Sequence, residues 1–287
     1  MSVTPPVVLT IAGFDPSSGA GITADIKTIA AHECYGISCV TALTVQSTLG
    51  VRRIEVVDPK IIAASLEELV SDFAPDAVHI GMLGNGATVG VIADFLSQAG
   101  LKHVVLDPIL KSSSGADLLD ATGTRKMIER LIPLAEVITP NLDEAAGLTG
   151  MAAVSNLDHM REAAACLHTL GAANVVVTGG HLERAIDLLS FTTARGYQTE
   201  VFKADRIQSN STHGTGCAFS TALACHLAQG RGLPEAVLLS KVYVSAAIAK
   251  APPLGHGKGP LHHLYRMSQQ RRTSAVISDK EPAHSRN

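Results

Sequence analysis

The sequence predicts an α/β fold built on a mainly parallel sheet with an antiparallel edge. Short Val- and Ile-rich runs alternate with longer segments of helical period, the pattern of repeated βα units. Most of these runs are apolar throughout, as expected of strands covered on both faces. A length of 287 residues with 46% hydrophobic content is enough for one large domain with a sizeable core.

In chain order, strands are expected at "VVLTIAG" (7 to 13), "ISCVTALTV" (37 to 45), "RRIEVVD" (52 to 58), "AVHIGML" (77 to 83), "HVVLDPI" (103 to 109), "EVITP" (136 to 140) and "NVVVTGG" (174 to 180). The segments "GITADIKTIAAHE", "PKIIAASLEELVSDF", "TVGVIADFLSQAG", "TRKMIERLIPLA" and "LDHMREAAACLHTLG" have the length and apolar spacing of amphipathic helices. After Gly180 the pattern changes to an antiparallel pair, "AIDLLSFTT" and "YQTEVFKADRI", followed by long helices from about Gly216 and about Pro234. No Pro/Gly/Ser linker and no internal repeat interrupts the middle of the chain, so a single domain over 1–265 is expected. Residues 266–287 lose apolar periodicity and read as a disordered tail.

Composition excludes several functions. The net charge is −3, and the 23 Lys and Arg residues form no dense cluster before the tail, which argues against a nucleic-acid surface. The five cysteines, at 34, 39, 166, 217 and 225, are odd in number and lack CxxC spacing. That pattern fits neither a disulfide framework nor a zinc site, and it points to a reducing cytoplasm. No basic n-region precedes an apolar stretch, and no apolar run reaches the roughly 18 residues of a membrane span. A small-molecule ligand is the reading that remains.

In open α/β sheets ligands sit beyond the carboxyl ends of the strands, and unusual residues gather there. The first strand runs into "GFDPSSGAGITADIKT", neither a P-loop nor a dinucleotide fingerprint. Asp25, one turn into the following helix, is placed either to hold a substrate hydroxyl or to complement the helix dipole. Gln46 leaves the second strand with a donor and an acceptor suited to a heterocycle edge; a satisfied loop glutamine is the plainer alternative. Asp107 in "VVLDPIL" is a charge at the end of a buried strand and needs a partner, for which Mg²⁺ would serve. In "ITPNLDEAAGL", Asn141 and Glu144 share the first turn of a helix. They can hold a hydrated magnesium, or form a reciprocal N-terminal cap, or do both.

"THGTGCAFSTALACHLAQG" is the most informative stretch. Gly214 and Gly216 let the backbone approach a ligand, and the free amides of a helix start make an anion site for a transferred phosphoryl group. Cys217 stands in that first turn, where the dipole is expected to lower its pKa and favour the thiolate as a proton acceptor; a small buried cysteine filling a helix start is the alternative. His213 is placed to orient a phosphate or the thiol.

Together these stretches resemble the hydroxymethylpyrimidine/phosphomethylpyrimidine kinases of thiamine biosynthesis, in the ribokinase-like superfamily. The match runs from about Val8 to about Tyr265, through "LTIAGFDPSSGAGITADIKT", "YGISCVTALTVQSTLGV", "IGML", "LDPIL", "ITPNLDEAAGL", "GGHL", "THGTGCAFSTALA" and "GPLHH". The resemblance implies a three-layer αβα sandwich, ATP and Mg²⁺ as cofactors, a homodimer, and transfer of phosphate to the aminopyrimidine alcohol and then to its monophosphate. It implies that Gly13, Asp25, Gln46, Met82 and His213 line the pyrimidine pocket, and that Gly214, Thr215, Gly216 and Cys217 form the anion hole. It places Asn141, Glu144 and Asp107 at magnesium, and Asn141, Thr178, Gly180, Thr215 and Lys241 at the nucleotide. Relatives often carry a lysine where this chain has Thr178, a contact that Lys111 or Lys241 would have to replace. "FDPSSG" also departs from the commoner "TDPSGG" at Phe14 and Ser18.

Three rival functions follow from the same residues. Pyridoxal kinases share the fold and the kind of alcohol. A vitamer sensor without catalysis would keep the pocket alone. A cysteine hydrolase would use Cys217 with His213, but no Asn or Asp is identifiable to orient that histidine, and the Asn141/Glu144 pair would have no role.

Overall fold

The computed structural model describes residues 4–180 and 184–267. The tail beyond 267, and the last two residues of "GGHL", lie outside the described residues.

The chain enters β1 (Val7–Phe14), then α1 (Gly21–Ala31), β2 (Tyr35–Ser47), β3 (Gly50–Val56), α2 (Pro59–Asp72), β4 (Ala77–Ile80) and α3 (Gly86–Ala99). It continues through β5 (Val104–Leu106), α4 (Ala121–Lys126), β6 (Val137–Ile138), α5 (Leu142–Thr149), α6 (Leu157–Thr169) and β7 (Val175–Gly179). The hairpin β8 (Ala185–Thr193) and β9 (Gly196–Ala204) and the helices α7 (Thr215–Ala228) and α8 (Leu233–Ala249) complete it. One nine-stranded sheet has the order β3-β2-β1-β4-β5-β6-β7-β8-β9. Its centre, from β2 to β7, is parallel.

The sheet is antiparallel at both ends, where the sequence gave reason to expect only the far one. β3 pairs antiparallel with β2, because the two-residue gap between them closes a hairpin and is far too short for the crossover a parallel strand needs. The expected helix over 124–135 is also wound in three ways. α4 passes into a π turn at Met127–Leu131 and a 3₁₀ turn at Ile132–Leu134, where Pro133 has no amide to continue the ladder.

The apolar runs bury both faces by alternation. Leu9 and Ile11, Leu106, Val175 and Val177 face the layer of α2, α3, α5 and α6, while Val8, Val105, Val176 and Leu189 face α1, α7 and α8. The result is the three-layer sandwich. α7 is buried from Cys217 to Leu227, since sheet, α1 and α8 enclose it, and an all-round apolar helix is what such a place requires. β1 pairs with β2 on one side and β4 on the other, so chain direction across the sheet reverses there and opens a crevice beyond the strand ends.

Candidate active site

That crevice is a cavity of about 800 Å³. Gly13, Asp25, Gln46, Met82, Asp107, Asn141, Glu144, Thr178 and the run His213 to Cys217 all line it, brought together from eight separate strand ends and helix starts. Gly13 admits the Met82 side chain to the wall: a Cβ at Gly13 would lie 2.9 Å from Met82 Sδ.

The floor is the start of α7. Gly214 occupies the position before the helix with φ 81°, and no side chain of the described residues caps it, so first-turn amides remain for an anion. The loop between β1 and α1 folds over this start. Asp15 accepts from the main-chain NH groups of Ser17, Gly19 and Ala20, from the Ser17 hydroxyl, and from His213 Nε2 at 2.8 Å. Burial pushes the Asp15 carboxyl up, but the His213 and Ser17 hydrogen bonds outweigh it and hold the pKa below the ordinary value. The sequence expectation that no carboxylate orients His213 is therefore overturned. Gln46 Nε2 lies 3.1 Å from that same His213 nitrogen, and Gln46 Oε1 accepts from the Thr44 hydroxyl at 3.1 Å.

Facing the α7 start are two buried carboxylates. Asp107 has its pKa raised to about 6, by burial first and by the negative charge of Asp25, against the lowering influence of His79 and of hydrogen bonds from Ser220 and Cys217. Glu144 is raised well above the usual range by burial and by Asp107. Asn141 and Glu144 form a reciprocal cap: Asn141 Oδ1 accepts from the Glu144 amide and Glu144 Oε2 from the Asn141 amide, both at 2.9 Å. The pair thus adopts the capping arrangement and still faces the cavity.

The expected thiolate at Cys217 is corrected. Burial, then the charges of Asp107, Asp25 and Glu144, push its thiol well above the ordinary value, although the Gly21 amide lowers it. The sulfur is therefore a thiol. A helix dipole worth a fraction of a charge loses to three nearby carboxylates.

Two nucleotide positions also need correction. Lys241 does not line the cavity; its ammonium is taken by Asp187 at 2.6 Å, and Asp187 also accepts from the Gly179 amide. Gly180 is exposed and not part of the cavity wall. Thr178 lines the cavity, as do Lys111, paired with Asp117 at 3.6 Å, and Lys258, which donates to the Ser113 carbonyl at 3.0 Å. Asp25 has no exposed surface: Thr10 donates to one of its oxygens at 2.8 Å and Thr221 to the other at 2.9 Å. Both hydroxyls needed for a substrate contact are thus already protein ones. Sequence reading missed Asp15, whose Asp-Pro-Ser turn was the available signal, and His79, for which a lone histidine in an apolar strand gave none.

A family model described as phosphomethylpyrimidine kinase matches residues 15–262. The thiamine biosynthesis bifunctional protein ThiED of Geobacter sulfurreducens is 46% identical over 90% of this chain, and the chain spans 52% of that longer protein. The hydroxymethylpyrimidine/phosphomethylpyrimidine kinase of Rhizobium meliloti is 42% identical over 91% of this chain and 97% of its own. Among solved structures, an ADP complex of Bacillus subtilis pyridoxal kinase superposes with a TM-score of 0.83 at 35% identity, covering 92% of this chain and 99% of that one.

Proposed function

From the premise that the chain belongs to the phosphomethylpyrimidine kinase family, we propose how its residues act. The activity is ATP-dependent phosphorylation of hydroxymethylpyrimidine and then of its monophosphate, in thiamine biosynthesis. The observation that carries the residue assignment is the uncapped glycine start of α7 facing Asp107 and Glu144 across one cavity.

The pyrimidine lies against Met82 and Gly13 with the Gln46 amide at its polar edge, where the Thr44 hydroxyl donates to the amide oxygen and holds it in place. The γ-phosphate enters the amide cradle of Gly214 to Cys217, whose preorganised NH groups stabilise the charge that spreads over its oxygens in the transition state. The substrate hydroxyl gives up its proton as it attacks. Asp107 is the acceptor already ionised at neutral pH, and the neighbouring Cys217 thiol passes that proton on, taking it from the substrate as it gives its own to Asp107.

The donor set fits a divalent cation. Two buried carboxylates with no cation in an ion pair among the described residues face the cavity beside the Asn141 amide, and Mg²⁺ characteristically takes one or two such oxygens with water and phosphate. Among the described residues no group of three His, Cys, Asp or Glu is arranged as a protein cage for a metal, in keeping with that mode. Asp107 and Glu144 would hold the ion, which would supply positive charge to offset that of the phosphates. Lys111 and Lys258 supply the cationic contacts that Lys241 cannot. The single continuous sheet supports one kinase unit over 1–265; a cytoplasmic homodimer belongs to the same proposal. Among the described residues no helix is long and apolar enough to cross a membrane.

The structural likeness to a pyridoxal kinase makes pyridoxal the rival alcohol. Steady-state kinetics with ATP and each of hydroxymethylpyrimidine, its monophosphate and pyridoxal decide it. A kcat/KM for pyridoxal above that for the pyrimidine alcohol would overturn the assignment.

A further inference from the structure

Beneath the cradle runs a buried chain of polar groups that the mechanism above does not use. His79, on β4, has no exposed surface and abuts the cavity between the sheet and α7. Its Nδ1 lies 3.1 Å from the Thr10 hydroxyl and 3.5 Å from Asp25 Oδ2, and its Nε2 lies 3.0 Å from the Ser220 hydroxyl. The register of the parallel strands sets Thr10 directly beside His79, and α1 and α7 bring Asp25 and Ser220 to its two ends.

The hydroxyl protons decide its charge state. Thr10 has one proton and gives it to Asp25 at 2.8 Å, so its oxygen is left to accept from Nδ1–H. Ser220 has one proton, and its partners other than the imidazole are the carbonyls of Gly216 and Cys217 and the Asp107 carboxylate, at 3.0, 3.2 and 3.3 Å. All are acceptors; with that proton given to the Asp107 carboxylate, the charged one of the three, the Ser220 oxygen accepts from Nε2–H. Both ring nitrogens then carry hydrogen, and the ring is an imidazolium. Desolvation alone would strip such a charge, but the charge and hydrogen bond of Asp25, with Asp107 behind Ser220, raise the histidine above its ordinary range.

We propose that His79 is a positioning residue for phosphoryl transfer: a buried imidazolium, countered by Asp25, that fixes the Ser220 hydroxyl and through it the Asp107 carboxylate under the α7 cradle. The inference rests on the kinase reading for its consequence. The cation lies below the site at which, on that reading, the triphosphate's charge accumulates. A packing role alone would be served by an apolar side chain without the desolvation cost.

The test has a readout independent of turnover. In protein labelled with ¹⁵N-histidine, the signal lost in His79→Gln identifies the residue, and both its nitrogens should report attached hydrogen at neutral pH. One bare nitrogen overturns the proposal. Kinetically, His79→Gln and Ser220→Ala should each lower kcat on the order of 10²-fold while KM for ATP and for the pyrimidine moves less than about threefold. Because the two act in series, the double variant should be no slower than the slower single one. Losses that multiply, or kcat unchanged in Ser220→Ala, overturn it as well. Ser220→Ala removes one oxygen only and keeps the test available if His79→Gln does not fold. Should the wild type phosphorylate none of the alcohols, the kinase reading fails, and the ring-nitrogen signals still decide the charge of His79.

Discussion

Gly214→Ala tests the architecture of the cradle most directly. A Cβ at Gly214 would lie 1.9 Å from the Gly19 carbonyl oxygen, where ordinary contact begins near 3.4 Å. The β1–α1 loop and the α7 start would have to part by about 1.5 Å, and the 2.8 Å hydrogen bond from His213 to Asp15 spans the same seam. A side chain at φ 81° adds about 1–2 kcal/mol, and the strained bond about 1–2 more, which in a domain of this size lowers Tm by about 5–10 °C. A displacement of about 1 Å at the reacting atoms costs about 10² in rate, so kcat should fall by at least that factor. Gly216→Ala is the contrast, because its Cβ would meet nothing nearer than Asp107 Oδ2 at 3.8 Å and its backbone is ordinary helix. That methyl enters the cradle without opening the seam, so kcat should fall while Tm holds. Scanning calorimetry with steady-state kinetics on both variants decides it. Full kcat in Gly214→Ala, or equal loss of Tm in the two, would refute the reasoning.

Three further outcomes follow from the charges. Cys217→Ala should reduce kcat by about 10² with nucleotide affinity kept, measured by turnover and by titration calorimetry; full turnover would leave Asp107 taking the proton unaided. Glu144→Gln keeps an oxygen for the Asn141 amide but removes a charge that burial and Asp107 already oppose, so the Mg²⁺ midpoint should rise several-fold with Tm unchanged or higher. An unmoved titration curve would make Glu144 a cap only. His32 and His263 have their pKa lowered to about 4 by burial, and in each the Nε2 atom has no hydrogen-bond partner among the described residues. A histidine depressed in the folded state contributes stability above its unfolded pKa that is lost as pH falls, so each should lose about 2 kcal/mol between pH 7.5 and 5. The variant with both changed to Asn should therefore gain on the wild type by about 4 kcal/mol over that interval in denaturant unfolding, and parallel curves would contradict the assignment.

What the sequence made legible was local. Val/Ile runs bounded by turn residues located every strand of the sheet, and the glycines before Cys217 located the cradle, because each signal lies within one element. What it hid depends on partners far along the chain. Cys217 was placed in the right turn with the wrong protonation state, since the carboxylates that keep its proton come from positions 25, 107 and 144. Lys241 read as a candidate phosphate contact until the β7–β8 pairing set Asp187 opposite Thr178 and gave the ammonium a closer partner. The antiparallel placement of β3 was within reach of the sequence, because the gap from "ISCVTALTV" to "RRIEVVD" leaves no room for a crossover.

The site's carboxylates fall into two kinds, and the difference explains how an anion-binding cleft tolerates them. Asp15 and Asp25 each have an imidazole at hand, His213 and His79, and serve to hold loop and helix in register. Asp107 and Glu144 have no such partner among the described ion pairs, and each raises the pKa of the other or of the thiol beside it. Asp107 and an ionised Glu144 together repel a bare triphosphate and attract one that carries a divalent cation, because only the cation satisfies carboxylates and phosphate oxygens together. On the proposed magnesium reading, that repulsion selects the metal-bound form of the nucleotide, so tight packing at the cradle and electrostatic tension opposite it are two parts of one device for receiving a phosphoryl group.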